Sequence, residues 1–547
     1  MTRAFPLCWG RKGGVTFHVS RLPFHVSRFT FHVSRFTFHS PLLSSLLCGL
    51  LLGLAFPPLP CGFLAWIGLV PLFCLIDGGC ARKAFKRGFL SGVAFNLVAL
   101  YWIAWLTPLG AVAAVLYLPV YVGLFMVGMT RLVRRFGQAG WWGAPVVWTA
   151  IEYLRSLGDL GFPWTLLGNT QTRYLTLIQY ADWSGVYGVS FWVVGVNVAL
   201  FRLMQTSGKC KGQSAERKVQ NERRSLCFAF CILYLALPFA YGWWRIPDGP
   251  LEGTMPVGIV QPNRSPTDLW ASDGTRKAYE TLFRMTREAA GRGARLVVWP
   301  ETAVPTPIRT QSAHRRLVQG LADSLNVSIL TGAPDYDEET RTYYNAAFLF
   351  RPGRTDLPRY DKMHLVPFGE AMPYGDLFPL LRKITFTASG FTSGDFGRGK
   401  EMTVFEGPDG RFATLICFES VFPNLVRRMV RLNPDFLVNI TNDAWFGETS
   451  SPYQHAEIAV LRAVENRIAV VRCATTGIST FIDPFGRQAQ TTGIFHPAVL
   501  VAPVPRREGE TFYTRYGDLF AQVCVGLSLM GLIGRRGLGR QVGYTAG

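Results

Sequence analysis

Apolar residues are arranged in two contrasting ways along this chain, and the change falls near residue 250. Before it they form long runs, at about Leu42 to Phe56, Gly62 to Ile76, Gly88 to Leu106, Ala111 to Met129, Trp141 to Leu154, Val186 to Phe201 and Leu226 to Trp244, and one more follows from Leu519 to Ile533. Such runs read as membrane-spanning helices, several of them near the lower end of the usual ~20 residues. From Met255 onward the pattern shortens to strand-sized pieces: "PVGIVQP", "ARLVVWPE", "VSILTGAP", "YYNAAFLF", "FATLICFE", "DFLVNITND", "RIAVVRCA" and "ISTFIDP". These alternate with stretches of helical period from Ala278 to Gly291, Ala313 to Leu325 and Gln454 to Arg467. Strands alternating with helices predict a layered α/β domain, with Tyr343 to Arg351 and Ile478 to Gly486 as antiparallel additions.

Charge then supplies an orientation. The net charge of +20 would suit a nucleic-acid partner, but the basic residues sit between the apolar runs. Arg82, Lys83, Lys86 and Arg87 follow the second run, Arg131, Arg134 and Arg135 the fourth, Lys209 to Arg224 the sixth, and Arg535, Arg536 and Arg540 the eighth. Counted alternately, all of these fall on one side, which the positive-inside rule makes cytoplasmic. Nucleic acid is thereby excluded as the partner. The expected organisation is a membrane α-helical bundle of about eight spans, at 41–246 and 516–535, with an external α/β domain at 247–515 and a cytoplasmic tail at 536–547. Residues 1–40 are a leader in which Phe17, Phe24, Phe31 and Phe38 each begin a seven-residue unit, cleanest as "FHVSRFT". It lacks an a/d seam and reads as a basic disordered segment or translated repetitive DNA, with no function assigned. Of 11 cysteines, only Cys417 and Cys473 fall in the external segment, and nothing in the sequence requires a bridge between them.

Three reactive groups stand at or near the ends of predicted strands: Glu301 closes "LVVWPE", Lys362 lies in "RYDKMHLVPFGE", and Cys417 closes "TLIC" with Glu419 just behind. Singly, each has an ordinary explanation as a surface carboxylate, a solvated lysine or a buried thiol. Their shared placement points elsewhere, because ligands of α/β sheets gather at the carboxyl ends of strands. A thiol becomes an effective nucleophile on losing its proton, an enclosed carboxylate can take that proton, and an ammonium beside them can stabilise an oxyanion.

In that order, with "WPE", "DKMHLVPFGE", "CFES" and "TNDAWFG", these residues resemble the nitrilase, or carbon-nitrogen hydrolase, superfamily. The resemblance implies an αββα sandwich. Joined to the apolar runs and to "EYLRSLGDLGFPWTLLG", "NDAWFGETSSPYQHAEIAVLRAVENR", "TTGIS" and "FYTRYGD", the chain from about Pro41 to Gly534 resembles the apolipoprotein N-acyltransferase family. That likeness implies an inner-membrane, multi-pass enzyme with its catalytic domain on the periplasmic or external side. It would move an acyl chain from a phospholipid, through a cysteine thioester, to the N-terminal amine of a diacylglyceryl-cysteine lipoprotein. It further implies Glu301 as general base, Lys362 as partner of oxyanion and carboxylate, Cys417 as nucleophile, Glu370 as the carboxylate positioning the lysine, Glu419 as support for the nucleophile turn and Trp270 as a substrate contact. No metal or organic cofactor is implied. Phe418 stands where the family often has tyrosine and Thr475 where it often has asparagine, which touches substrate positioning rather than the reaction.

Two further features belong to the lipid setting. Leu377, Phe378, Leu380, Leu381 and Ile384, beside Arg382 and Lys383, suit a loop dipping into the bilayer surface or, equally, packing on the domain. Glu152 and Arg155 end the fifth run and are expected to pair or to meet head groups. The rival readings are a membrane-bound nitrilase-like amidase, which would pass the acyl group to water, and a lipid-binding or transporter scaffold with a degenerate external domain. The intact Glu301, Lys362 and Cys417 disfavour the scaffold, and the spans disfavour the amidase.

Overall fold

The computed structural model describes residues 40–533 apart from 77–79, 207–230, 250, 266–272, 376, 379–386, 389–390 and 393–395. The seven-residue repeats, Trp270, the whole 380–384 segment and the tail beyond 533 lie outside the described residues; Leu377 and Phe378 lie within them and are exposed.

Two six-stranded sheets form the C-terminal domain. The first runs β14-β1-β2-β3-β4-β5, with β1 Met255–Gln261, β2 Leu296–Val298, β3 Ser328–Asp337, β4 Thr342–Phe350, β5 Arg359–Asp361 and β14 Ala498–Val504. The second runs β13-β12-β11-β10-β9-β8, with β8 Val404–Glu406, β9 Arg411–Ile416, β10 Phe436–Thr441, β11 Ala469–Ala474, β12 Thr480–Ile482 and β13 Gln488–Ala489. A two-stranded hairpin, β6 Thr387–Ala388 and β7 Phe391–Thr392, stands apart. In each sheet three parallel strands, β1-β2-β3 and β9-β10-β11, are flanked by antiparallel ones, among them the expected β4 and β12.

The two-residue period of strands sorts side chains between layers. Ile259, Val298, Leu330 and Leu349 face the second sheet and share a core with Phe412, Phe436, Val438 and Val471. Their neighbours Val260, Val297, Ile329 and Phe348 face outward, against Leu282 and Met285 of the Gly274–Gly291 helix and Val318 and Leu321 of the Ser312–Leu325 helix. The Pro423–Val430 and Ser451–Asn466 helices pack on the second sheet through Val426, Val460 and Val464. The order is helix, sheet, sheet, helix, as the resemblance to the nitrilase superfamily implies.

The N-terminal region is helical at Pro41–Leu54, Ala81–Ala99, Pro108–Tyr117, Pro119–Phe136, Ala144–Arg155 and Ala181–Thr206, and again at 231–245, and Leu519–Ile533 joins it from the far end of the chain. Glycines bring backbones together: a Cβ on Gly49 would lie 2.4 Å from the Ser91 carbonyl, and one on Gly88 2.5 Å from that of Val122. Two helical runs among the described residues are long and apolar enough to cross a membrane, Gly110–Arg155 and Ala181–Gln205. The second apolar run departs from expectation. It forms a short 3-10 turn at Gly62–Trp66 and a single helical turn at Val70–Phe73, with Gly68 pressed against Leu52 and Pro71 in the second piece.

Candidate active site

Glu301, Lys362 and Cys417 converge because each follows a strand: β2 by way of Trp299 and Pro300, β5 directly, and β9 directly. Gly332 in β3 has to lack a side chain, since a Cβ there would lie 2.7 Å from the Glu301 Cα. Lys362 Nζ donates to Glu301 Oε1 at 3.3 Å and to Glu370 Oε1 at 2.8 Å. Asn345 Nδ2, from β4, donates to the same two oxygens at 2.7 and 3.0 Å. The remaining oxygens accept main-chain N–H groups, Glu301 Oε2 from Asn442 at 2.8 Å and Glu370 Oε2 from Val366 at 2.9 Å. One ammonium thus sits between two carboxylates, with the lysine side chain only 1% exposed.

Burial opposes the charge on Lys362, but Glu301 and Glu370 outweigh it and hold the ammonium above the ordinary lysine range. The thiol is affected in the opposite sense. Burial, then the Glu301 carboxylate, push Cys417 well up, with Lys362 pulling against them, so the resting group is the thiol and needs a base to ionise.

Cys417 opens a short 3-10 turn, Cys417–Val421, with φ at 51°. Glu419 staples this turn to the lysine segment. Its carboxylate accepts from Ile416 N–H at 2.8 Å, Tyr360 O–H at 2.8 Å, Met363 N–H at 2.7 Å and His364 N–H at 3.2 Å. Burial pushes this carboxyl up to about 7, and the donors hold it from rising further. The structure therefore brings Glu370 and Glu419 together with the three reactive groups. Asn345 was not singled out in the sequence, although an asparagine inside the apolar strand "YYNAAFLF" is a signal for it.

The nucleophile turn also meets the N-terminal region. Phe418 packs against Phe162 and Trp164, each at 6.3 Å between ring centres, and against Phe422 at 5.0 Å. Thr475 stays within the main-chain network, its N–H donating to Thr441 O at 3.0 Å. Cys417 and Cys473 are unbridged, and Cys473 Sγ donates to the Val260 and Val298 carbonyls of the facing sheet. Glu152 and Arg155 form no ion pair with each other. Both hold the 165–167 segment instead: Leu167 N–H donates to Glu152 at 2.8 Å, and Arg155 donates to the Thr165 hydroxyl and carbonyl at 2.9 and 3.0 Å.

This helix–sheet–sheet–helix domain with its buried carboxylate, lysine and cysteine is of the carbon-nitrogen hydrolase class, and the sequence model of that family, described as "Carbon-nitrogen hydrolase", matches residues 257–512. A second, described as "Apolipoprotein N-acyltransferase N-terminal domain", matches residues 48–199. The apolipoprotein N-acyltransferase of Geobacter metallireducens is 37% identical over 499 residues, covering 88% of this chain and 93% of that protein. That of Chlorobaculum tepidum is 34% identical over 519 residues, covering 89% and 95%. Among solved structures, Saccharomyces cerevisiae Nit3, of the nitrilase superfamily, is 18% identical with a TM-score of 0.37, over 48% of this chain and 93% of its own. The chain belongs to the apolipoprotein N-acyltransferase family and is an enzyme.

Proposed function

We propose that the protein transfers an acyl chain from a phospholipid to the N-terminal amine of a diacylglyceryl-cysteine lipoprotein, with Cys417 as the carrier. The observation that carries this reading is the Glu301, Lys362 and Glu370 cluster beside a cysteine whose flanking Phe418 packs on the N-terminal region. Glu301 takes the thiol proton and the thiolate attacks the ester carbonyl carbon. Lys362 stabilises the oxyanion. The C–O bond breaks, the lysolipid oxygen leaves with the proton from Glu301, and the thioester remains. The lipoprotein amine then attacks the thioester and gives a proton to Glu301. As the C–N bond forms, the C–S bond breaks and the thiol is restored. Glu370 keeps Lys362 in place, and Trp270 is a substrate contact.

Hydrolysis by the same residues, the amidase reading, is disfavoured by the aromatic wall that the N-terminal region adds beside the nucleophile. Incubation with phospholipid labelled in the acyl chain separates the two. Label in an added lipoprotein is the expected result, and label released wholly as free fatty acid would overturn transfer.

The reading extends to an inner-membrane, multi-pass protein of about eight spans, at 41–246 and 516–535, with the 247–515 domain on the periplasmic or external side. The basic connections support this orientation. A periplasm-dependent reporter fused after Arg515 should be active. Activity there of a reporter that works only in the cytoplasm would reverse the topology.

A further inference from the structure

Cys417 holds a left-handed backbone conformation, φ 51°, which a residue with a side chain keeps only when its surroundings impose it. Around it lies a buried polar set that the transfer scheme leaves unused. Ser420 Oγ donates to the Cys417 carbonyl at 3.0 Å and lies 3.1 Å from His455 Nε2, which is itself 3.1 Å from that carbonyl. His455 Nδ1 is 3.0 Å from Asp443 Oδ1, and Asp443 Oδ2 pairs with Arg472 at 2.9 Å. All four side chains are sealed from solvent. A serine, histidine and aspartate in this order resemble a hydrolytic relay, yet Ser420 is turned into the Cys417 main chain and is no second nucleophile. Burial, then Arg472, lower the His455 imidazole, while Arg472 and His455 overcome the burial of Asp443 and keep it ionised. With Nδ1–H given to that carboxylate, Nε2 is an acceptor, and the Ser420 O–H is the donor placed between Nε2 and the Cys417 carbonyl. It closes the turn.

The residue beside His455 faces the other way. Gln454 Oε1 accepts from the indoles of Trp164 at 2.8 Å and Trp102 at 3.2 Å. Its Nε2 donates to the Ala99 carbonyl at 3.1 Å and to that of Pro57 at 3.2 Å. One buried amide thus joins three separate stretches of the N-terminal region, and the Trp164 ring also lies 5.2 Å from the His455 ring.

We propose that Gln454 and His455 are positioning residues for the reaction at Cys417. His455 acts through Ser420 to set the nucleophile turn, and Gln454 ties that turn to the seating of the N-terminal helices. The inference rests on Cys417 being the reacting thiol. It is tested on the full-length protein with two probes, iodoacetamide modification of individual cysteines read by mass spectrometry and single-turnover thioester formation from acyl-labelled phospholipid, with rates taken per folded protein. His455→Ala should slow thioester formation about 10²-fold, the scale of a 1 Å misplacement, with the half-saturating lipid concentration unchanged. His455→Gln, which returns a polar atom near Nε2, should recover most of the rate, and Gln454→Leu should slow the step without touching Cys417. Should His455→Ala fail to fold, Ser420→Ala carries the same expectation. Undiminished rates in the Ala variants and Gln454→Leu, a Gln variant as slow as Ala, or a defect confined to lipid affinity would each overturn the positioning role alone. A wild-type Cys417 that iodoacetamide modifies no faster than Cys473 would overturn this inference together with the reading beneath it.

Discussion

Replacing Cys417 by serine should leave no acyl-enzyme and no transfer. A thiol of ordinary pKa about 8.5 is already a reluctant acid in this buried setting, and a serine hydroxyl is far harder to ionise. Glu301 would therefore fail to activate it, and any oxyester that formed would react with an amine more slowly than a thioester does. The change is small enough to spare the fold, so both half-reactions should be lost in a folded protein. The check is mass spectrometry of the purified protein after incubation with phospholipid. Wild type should carry one acyl group on Cys417, removable by neutral hydroxylamine, and Cys417→Ser none. An adduct on another residue, or full transfer by the serine variant, would show that Cys417 is not the carrier.

Glu301→Gln and Lys362→Ala should each stop acylation of Cys417, for different reasons. The glutamine keeps the shape of the side chain and can still receive the Asn442 N–H, but it cannot take a proton; the loss expected of a general base is about 10²- to 10⁴-fold. Removing the ammonium takes away an oxyanion donor, worth about 10²- to 10³-fold. It also leaves Glu301 and Glu370 facing each other across Asn345, and breaking such a buried charge pair costs roughly 3–5 kcal/mol of stability. Rates for this variant are accordingly taken per folded protein, with melting temperature measured alongside. Thioester formation near the wild-type rate in either variant would show its assigned role to be wrong.

The C-terminal domain was legible because its strands are short, apolar and bounded by reactive groups. Glu301 and Cys417 each follow an apolar strand, a local signal that survives folding, whereas Lys362 follows the polar strand Arg359–Asp361 and was legible through the stretch "RYDKMHLVPFGE". Glu370 and Glu419 were found through motif likeness, and the structure gives their spacing a cause: one returns to the lysine eight residues earlier, the other reaches from the cysteine turn to Met363. His455 and Asn345 escaped because their partners are distant in sequence. A histidine in an apolar helix face announces nothing until the Cys417 carbonyl is placed against it. The same limit applies to Glu152 and Arg155. Charge and position in the chain raised the idea of a pair, whereas each is spent on backbone groups of a returning segment that no helical period reveals. Hydropathy alone also cannot tell a run that continues as one helix from one broken into two short turns, so the break inside Gly62 to Ile76 left no mark in the hydropathy pattern.

The placement of Cys473 bears on how an unpaired nucleophile could persist outside the cytoplasm. Its thiol is fully buried and committed to two carbonyls of the opposite sheet, and burial pushes it well above the ordinary thiol range. A thiol kept protonated and out of reach is a poor partner for exchange. On the proposed topology the external domain would then carry one cysteine able to react and no second one free to trap it, so oxidising surroundings would leave the acyl carrier open for its lipid instead of locking it into an internal disulfide.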